Sequence, residues 1–326
     1  MSNSISTLGL QLVNISNLKS GQTYLSNLTE QLTTGKKSLS LTDYSASEAQ
    51  KLLNLTDKIS QRNGFIAASN TIDPRLQVYD KSLTSIEDVA AQIASLTTSS
   101  GTYNPETNSS TAQQLQTFMG QISYYLNQQV GDRYIFAGTR YNTPPVSDIT
   151  TLAVPPTETT PYLSNIAGNE LPTYDTDYNS GAPTTSVPSA YVRDSVSIDT
   201  TQNLTYGITS TQTGFQQLVM ATRFAYAATQ DQSQYETYMT TARNLVSSGL
   251  SAIRAIHTDL AGNTTTLDNT KDLHQKLITD INSQLGDIQN VDINAVAVKI
   301  SSFQAQLEAS YAATGSMTAL SILKYL

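Results

Sequence analysis

Apolar residues repeat with heptad spacing near both ends of this chain, and a proline-rich stretch separates the two patterned regions. In the C-terminal part, five isoleucines or leucines and one histidine recur every seven positions: Ile253, Leu260, Leu267, His274, Ile281 and Ile288. In the N-terminal part, steps of three and four alternate along Leu76, Tyr79, Leu83, Ile86, Ala90 and Ile93. These spacings are typical of the seam of a helical bundle or coiled coil. We therefore expect the chain to fold back so that its first and last thirds pair.

The middle of the chain has a different character. Eight of the ten prolines lie between Pro144 and Pro188, among Thr, Ser, Asp and Tyr. Proline at this density is incompatible with helices and central strands, so the stretch is predicted to be a surface insert of irregular loops. Alternating apolar residues over 191–198 and 204–208 predict a hairpin beside it, and 134–137 is predicted to be a further strand.

These patterns predict a mainly α fold with a β-containing insert. The expected architecture is a long antiparallel helical bundle or coiled-coil rod made from both chain ends, plus an outer Pro-rich β domain. We divide the chain into an N-terminal amphipathic assembly helix, disordered in the monomer (1–40), the N-terminal part of the rod (41–132), the β-rich insert (133–210), the C-terminal part of the rod (211–290) and a C-terminal amphipathic assembly helix (291–326).

Both extreme ends carry an apolar stripe at helical spacing. The stripes comprise Ile5, Leu8, Leu12, Ile15, Leu25, Leu28 and Leu32 at one end and Ile300, Phe303, Leu307, Tyr311, Met317, Leu320 and Leu323 at the other. Ser, Asn and Thr fill the opposite face of the first stripe, so this helix would be marginal alone and we expect it to be disordered until a partner covers it. The stripes either complete an intramolecular core or pack between subunits, and we weigh the two interpretations equally.

Local signals predict where several helices begin and end. Gly35 is expected to end the first helix in a left-handed conformation. The pair Ser45 and Glu48 forms a capping box that opens the second helix. Asp292 is predicted to cap the last helix, and a further helix is predicted over 112–130.

The amino-acid composition argues against several classes of function. The chain has no cysteine, which excludes disulfides and thiol chemistry, and its net charge of −8 with 18 scattered Lys and Arg argues against a nucleic-acid partner. No apolar run approaches the length of a membrane span, so no membrane insertion is expected. The N-terminus lacks the basic and apolar regions of a cleaved secretory signal, so an exported protein would need another route.

No catalytic, cofactor or metal constellation is recognisable, and we expect a protein that is not an enzyme. The two histidines lack the spacing of a zinc-binding helix; His257 is predicted to be solvated, and His274 to be a polar seam residue that, with Asn263, holds the helix register. Asp175 and Asp177 lack a calcium-loop pattern and are interpreted as solvated loop carboxylates.

Two segments resemble the flagellin family. Residues 28–49, LTEQLTTGKKSLSLTDYSASEA, resemble the N-terminal flagellin signature, and residues 305–326, AQLEASYAATGSMTALSILKYL, are similar to the family's C-terminal end. Within the family, residues 130–145, VGDRYIFAGTRYNTPP, and the ending SILKYL are more similar to hook-associated members than to filament flagellins.

The resemblance implies a structural subunit of the bacterial flagellum, located outside the cell. It implies a ring that joins hook to filament, with partners that are other copies of the chain, a hook-associated protein on the hook side and flagellin on the filament side. It also implies export through the flagellar type III apparatus and a cytoplasmic chaperone at the C-terminal helix.

Three alternatives remain open at this point. A filament flagellin would differ in copy number and in location along the flagellum, and residues 130–145 favour the hook-associated interpretation. A secreted coiled-coil adhesin or type III translocator would have stable helical termini as a free monomer. An enzyme with a hydrolytic site in the insert would need a nucleophile–base pair or zinc motif, and the insert shows neither.

Overall fold

The structure is a computed structural model, and it describes residues 2–99, 101–142, 144–146, 149–151 and 192–322. Most of the predicted Pro-rich loops therefore lie outside the described residues. The described part consists mainly of α-helices with a few short strands, which confirms the predicted fold class.

Six long helices occupy most of the described residues. They are α1 (Ser2–Thr34), α2 (Ala46–Ser99), α3 (Pro105–Leu126), α4 (Thr213–Gln230), α5 (Tyr235–Gln289) and α6 (Ile293–Ile322). Short 3₁₀ turns lie at Leu41–Asp43, Ile135–Ala137 and Ile149–Thr151. The helix predicted over 112–130 begins earlier, because Asn104 caps it and accepts a hydrogen bond from the Glu106 amide at 3.0 Å. It ends at Leu126, before Asn127.

The predicted boundaries around α1, α2 and α6 are confirmed. Gly35 follows α1 with φ of +68°, the left-handed conformation that glycine adopts without strain. At the start of α2, the Ser45 hydroxyl accepts from the Glu48 amide at 3.3 Å and the Glu48 carboxylate accepts from the Ser45 amide at 3.2 Å. Asp292 accepts from the amides of Asn294 and Ala295.

Replacing Ser45 by alanine is expected to destabilise the first turn of α2 by about 1 kcal/mol, because a helix amide loses its only acceptor. Hydrogen exchange of the amides of residues 46–49 measures this loss. The Ser47→Ala variant is the control, since Ser47 is an exposed residue of the same turn. Equal exchange in both variants would show that the capping box contributes nothing.

The chain divides into two compact units. The terminal unit combines Met1–Arg62 with Gln275–Leu326, and the central unit comprises Asn63–His274. The long helices α2 and α5 each contribute residues to both units.

The central unit is built on antiparallel stretches of α2 and α5. Lys271 pairs with Asp73 at 2.7 Å near one end, and the Arg243 guanidinium donates to the Thr97 carbonyl at 2.8 Å near the other. Seven predicted seam residues line this pair, each at most 3% exposed: Leu76, Leu83, Ile86, Ile93, Ile253, Leu260 and Leu267. Helices α3 and α4 pack against each other in the same unit and enlarge its core.

Two short hairpins accompany the central unit. Strands β1 (Gln129–Val130) and β2 (Arg133–Tyr134) pair antiparallel, and so do β3 (Ser195–Ser197) and β4 (Asn203–Thr205). The second hairpin is the one predicted from the sequence. The prediction of a strand over 134–137 is wrong beyond Tyr134, because Ile135, Phe136 and Ala137 form a 3₁₀ turn. All three side chains are buried, whereas a strand would turn alternate residues to opposite faces.

The described flanks of the predicted surface insert belong to the core. Phe136 is fully buried, with its ring edge-on to Tyr79 at 5.0 Å and to Phe215 at 5.8 Å between centroids. The Tyr79 hydroxyl is shared between the carbonyls of Ile135 and Ile208, one on each flank. Burial raises the pKa of the Tyr79 hydroxyl far above its ordinary value, which keeps it protonated as the donor. Proline density did not indicate that the apolar residues on either side of the predicted loops are buried.

Candidate assembly interface

Helices α1 and α6 of the terminal unit pack antiparallel, and backbone hydrogen bonds fix their register at one end. The Lys37 amide donates to the Gln289 carbonyl at 2.7 Å, and the Val291 amide donates to the Gly35 carbonyl at 3.0 Å. The chain turn after α1 is thereby tied to the turn before α6. The left-handed conformation of Gly35 allows these two backbone hydrogen bonds, because it turns the chain directly after α1.

Side chains of α1 and α6 pack closely against each other. The Tyr24 ring stands edge-on to Phe303, with 5.0 Å between centroids, and the Gln22 amide donates to the Tyr311 hydroxyl at 2.9 Å. A Cβ placed on Gly21 would lie 2.9 Å from a Leu307 methyl and 3.3 Å from the Phe303 ring. Glycine at this position therefore sets how closely α1 and α6 approach.

The Gly21→Leu variant is expected to separate the two helices, because a leucine side chain has no space between Leu307 and Phe303. The helical content of the terminal unit should fall, measured as hydrogen exchange over residues 15–34. The matched control is Gly9→Leu, since nothing lies within 4 Å of a Cβ built on Gly9 and leucine is the better helix former. Slow exchange in both variants would contradict the close-packing role of Gly21.

The structure places the predicted interface residues in three groups. Leu28 is buried, and Leu25, Ile300, Phe303 and Leu307 are half-buried. Leu12, Ile15, Leu32 and Tyr311 are exposed, with 60% of Leu12 and 59% of Ile15 accessible. The side chains of Ile5, Leu8, Met317 and Leu320, and the whole of Leu323, lie outside the described part of the structure. The two ends of the chain thus cover one another only partly.

Sequence reasoning missed three exposed apolar residues of the terminal unit. Val13 is 55% exposed, Ile293 51% and Val298 69%. Val13 and Val298 fall off the three-four spacing of the stripes, so a single-face pattern would not find them. Ile293 keeps that spacing with Val296 and Ile300 but was left out of the predicted interface. Their exposure shows that apolar surface continues around the α1–α6 pair, beyond the face that each helix turns to the other. Apolar side chains exposed in this way are available for packing against another protein.

Charge is scarce on these helices. Within Ser2–Thr34 the charged residues are Lys19 and Glu30, and within Ile293–Ile322 they are Lys299 and Glu308. Depletion of charge with retained apolar side chains is the composition of an interface core. Identical copies could pack such surfaces together without like charges meeting.

His274 and Asn263 were predicted to hold the helix register on the seam, but they bind the β3–β4 hairpin. The buried His274 imidazole bonds to the Ile198 carbonyl at 2.8 Å and stacks on Phe65, with 5.4 Å between ring centroids. The Asn263 amide donates to the Thr205 carbonyl at 3.2 Å. Both residues therefore attach the β3–β4 hairpin to α5. The remaining predicted seam residue, Ile281, is 7% exposed in the terminal unit.

Neither a metal cluster nor a membrane span accompanies this interface. Across the described residues, no three His, Asp or Glu side chains converge as a metal site. None of the described helices is long and apolar enough to cross a bilayer.

Comparison with known protein families finds a match for the first part of the chain. Residues 5–141 match the family model of the bacterial flagellin N-terminal helical region. The resemblance to flagellins is thereby confirmed over these residues, and the chain carries a flagellin N-terminal helical region. Together with the mainly α fold, this match makes the chain similar to structural proteins of the bacterial flagellum of the flagellin type. No curated protein matches the chain.

Two solved structures are similar to this one. A protein described as a flagellar hook-associated protein of Vibrio parahaemolyticus aligns with a TM-score of 0.59 and 14% identity, over 76% of this chain and 100% of that one. FlgL from Bacillus cereus aligns with a TM-score of 0.49 and 11% identity, over 73% of this chain and 100% of that one. The first of these likenesses shows that the two proteins share a fold.

Proposed function

We propose that this protein is the hook–filament junction subunit, equivalent to hook-associated protein 3, and that it assembles outside the cell through its terminal helices. The observation that carries the assembly role is the apolar surface left on the α1–α6 pair, exemplified by Leu12, Ile15 and Val298. The hook-associated description of the Vibrio parahaemolyticus structure supports the junction role. So does the stretch over residues 130–145, which resembles hook-associated members more than filament flagellins.

Burial of apolar side chains between subunits drives assembly in this proposal. Subunits in a ring place their α1–α6 pairs side by side, so that the exposed apolar residues leave water. Each fully buried Leu, Ile or Val side chain contributes about 1.5–3 kcal/mol. Association opposes this gain, because subunits lose translational and rotational freedom and interface side chains become ordered, and this cost limits premature association of free monomers.

The partners follow from a junction between two tubes. One edge of the ring contacts a hook-associated protein, and the other receives the first flagellin subunits. Before assembly the chain passes through the flagellar type III apparatus, with a cytoplasmic chaperone on the apolar surface of α6. The same residues that later pack between subunits, such as Val298, would be covered by the chaperone.

Deletion of the gene in the source bacterium tests the junction role. We expect motility to be lost, hooks to remain on the cell, and intact flagellin monomers to accumulate in the culture medium. This combination arises because flagellin is still made and exported but finds no surface on which to polymerise. Restoring the gene should restore filaments.

The alternative is a filament flagellin, and the same deletion distinguishes it. In that case the medium of the deletion strain would contain no flagellin monomer, because the deleted gene itself encodes it. The flagellin N-terminal match over residues 5–141 fits both roles equally. The difference lies in copy number and position along the flagellum.

A further inference from the structure

His257 lies between two carboxylates that belong to the facing helix. Its Nδ1 is 2.6 Å from a Glu87 carboxylate oxygen, and its Nε2 is 3.0 Å from an Asp80 carboxylate oxygen. The imidazole is only 25% exposed. The sequence-based expectation of a solvated side chain is therefore wrong, because α2 places one carboxylate acceptor at each ring nitrogen.

The geometry determines the protonation state of this ring. A neutral imidazole has one N–H and one lone pair, whereas a carboxylate oxygen can only accept a hydrogen bond. With a carboxylate at each nitrogen, a neutral ring would direct its lone pair at a negative oxygen. Only the doubly protonated imidazolium donates to both Asp80 and Glu87.

The neighbouring charges support an imidazolium. On α5, Arg254 approaches the second Glu87 oxygen at 3.7 Å. Asp80 also lines a groove between α2 and α5, of about 500 Å³, together with Asp73 and Asp268. Lys271 pairs with Asp73 at 2.7 Å and lies 3.8 Å from Asp268.

The charged groups around His257 are carboxylates, one lysine and one arginine. Asp and Glu ordinarily titrate near pH 4, and Lys and Arg above pH 10. Among these charged groups, the imidazole is the one whose ordinary pKa lies near neutral pH.

We propose that His257 is a proton-dependent clasp, which holds α5 to α2 in the central unit while it is protonated and releases that hold when its proton leaves to solvent. The protonated ring bridges two carboxylates of α2 that lie seven residues apart, at positions 80 and 87. The neutral ring keeps one of these hydrogen bonds at most and leaves the other carboxylate facing a lone pair. The contact between the helices is then weaker.

The pKa of His257 accords with this geometry. Partial burial opposes the charged ring, but the hydrogen bonds and charges of Asp80 and Glu87 outweigh burial, and the pKa rises above its ordinary value of 6.5. A group with a raised pKa in the folded state stabilises that state fully below its unfolded pKa. The stabilisation disappears as the pH rises from about 6.5 through the raised folded pKa.

The test is a histidine NMR titration of the full-length chain between pH 5.5 and 9. The chain has only two histidines, so the His257→Gln variant assigns both ring signals. We expect the His257 pKa to lie above 6.5 in the wild type and to fall in both Glu87→Gln and Asp80→Asn. The Asp259→Asn control removes an exposed carboxylate two residues away and should leave the His257 pKa nearly unchanged.

Two results would overturn the clasp. The first is a His257 pKa at or below 6.5 in the wild type, or one that neither variant lowers. The second comes from denaturant unfolding of wild type and His257→Gln: a stability difference that stays constant from pH 6 to 9 would show that no protonation step is involved. Asp80 is 63% exposed, so Asp80→Asn folds even if Glu87→Gln does not.

Discussion

Replacing Leu12 and Ile15 together by aspartate is expected to abolish incorporation of the protein into flagella. Both side chains are about 60% exposed in the single chain, and the proposed ring buries them. Losing two buried apolar side chains costs at least about 3 kcal/mol per subunit contact, or roughly 100-fold in affinity. Burying the new carboxylates would add to that cost. The readout is the amount of protein recovered in purified hook–filament fractions, relative to the amount secreted.

The control for this variant adds the same charges to the neighbouring positions of the same helix. Ser16 and Asn17 are exposed and polar, so Ser16→Asp with Asn17→Asp changes helix charge equally without removing apolar surface. We expect near wild-type incorporation of the control. Normal incorporation of the Leu12 and Ile15 variant would show that this part of α1 is not an assembly interface. Loss in both variants would indicate that added charge, not lost burial, is responsible.

The Phe303→Asp with Leu307→Asp variant tests the other helix of the same unit. Phe303 contacts Tyr24, and Leu307 lies against Gly21, so this variant also breaks the α1–α6 pair itself. Filaments should fail to form on the hooks of cells that produce only this variant. Normal filaments would contradict the role of both the helix pair and its outer surface.

The largest expected effect on stability comes from Phe136→Ala. Removal of a fully buried aromatic ring costs about 3–5 kcal/mol, and Phe136 contacts both Tyr79 and Phe215 at the centre of the unit. Denaturant unfolding of the full-length chain, followed by far-ultraviolet circular dichroism, measures the loss. The chain has no tryptophan, so a fluorescence readout would depend on its 18 tyrosines.

Leu273→Ala is the control for the core variant. Leu273 is 50% exposed on α5, so its truncation should cost well under half as much. Equal losses would show that Phe136 is no more important to the core than a partly exposed residue. That result would support the interpretation of residues 133–210 as a surface insert.

The sequence was sufficient wherever the determining contacts are local or periodic. The capping box at Ser45 needs only Glu48, three residues away, and the seam at Leu83 and Leu260 follows from repeated spacing. Heptad spacing predicted that these residues would be buried without knowledge of their partners, because only helices place such positions on one face.

Residues whose environment comes from distant segments could not be predicted. The acceptors of His257 lie 177 and 170 residues away, at Asp80 and Glu87, and no local pattern indicates them. Phe136 is buried by Tyr79 and Phe215, which come from two different helices. His274 was found on the seam by its spacing, but its bond to the Ile198 carbonyl depends on where the hairpin docks.

Immunogold electron microscopy of flagellated cells tests the central claim most directly. An antibody raised against residues 144–188 would be applied to intact flagella of the source bacterium, because this proline-rich stretch is predicted to lie on the surface. We expect a single narrow band of label between hook and filament. Label along the whole filament would contradict the junction role and make the protein a flagellin, and the absence of label from flagella would contradict both.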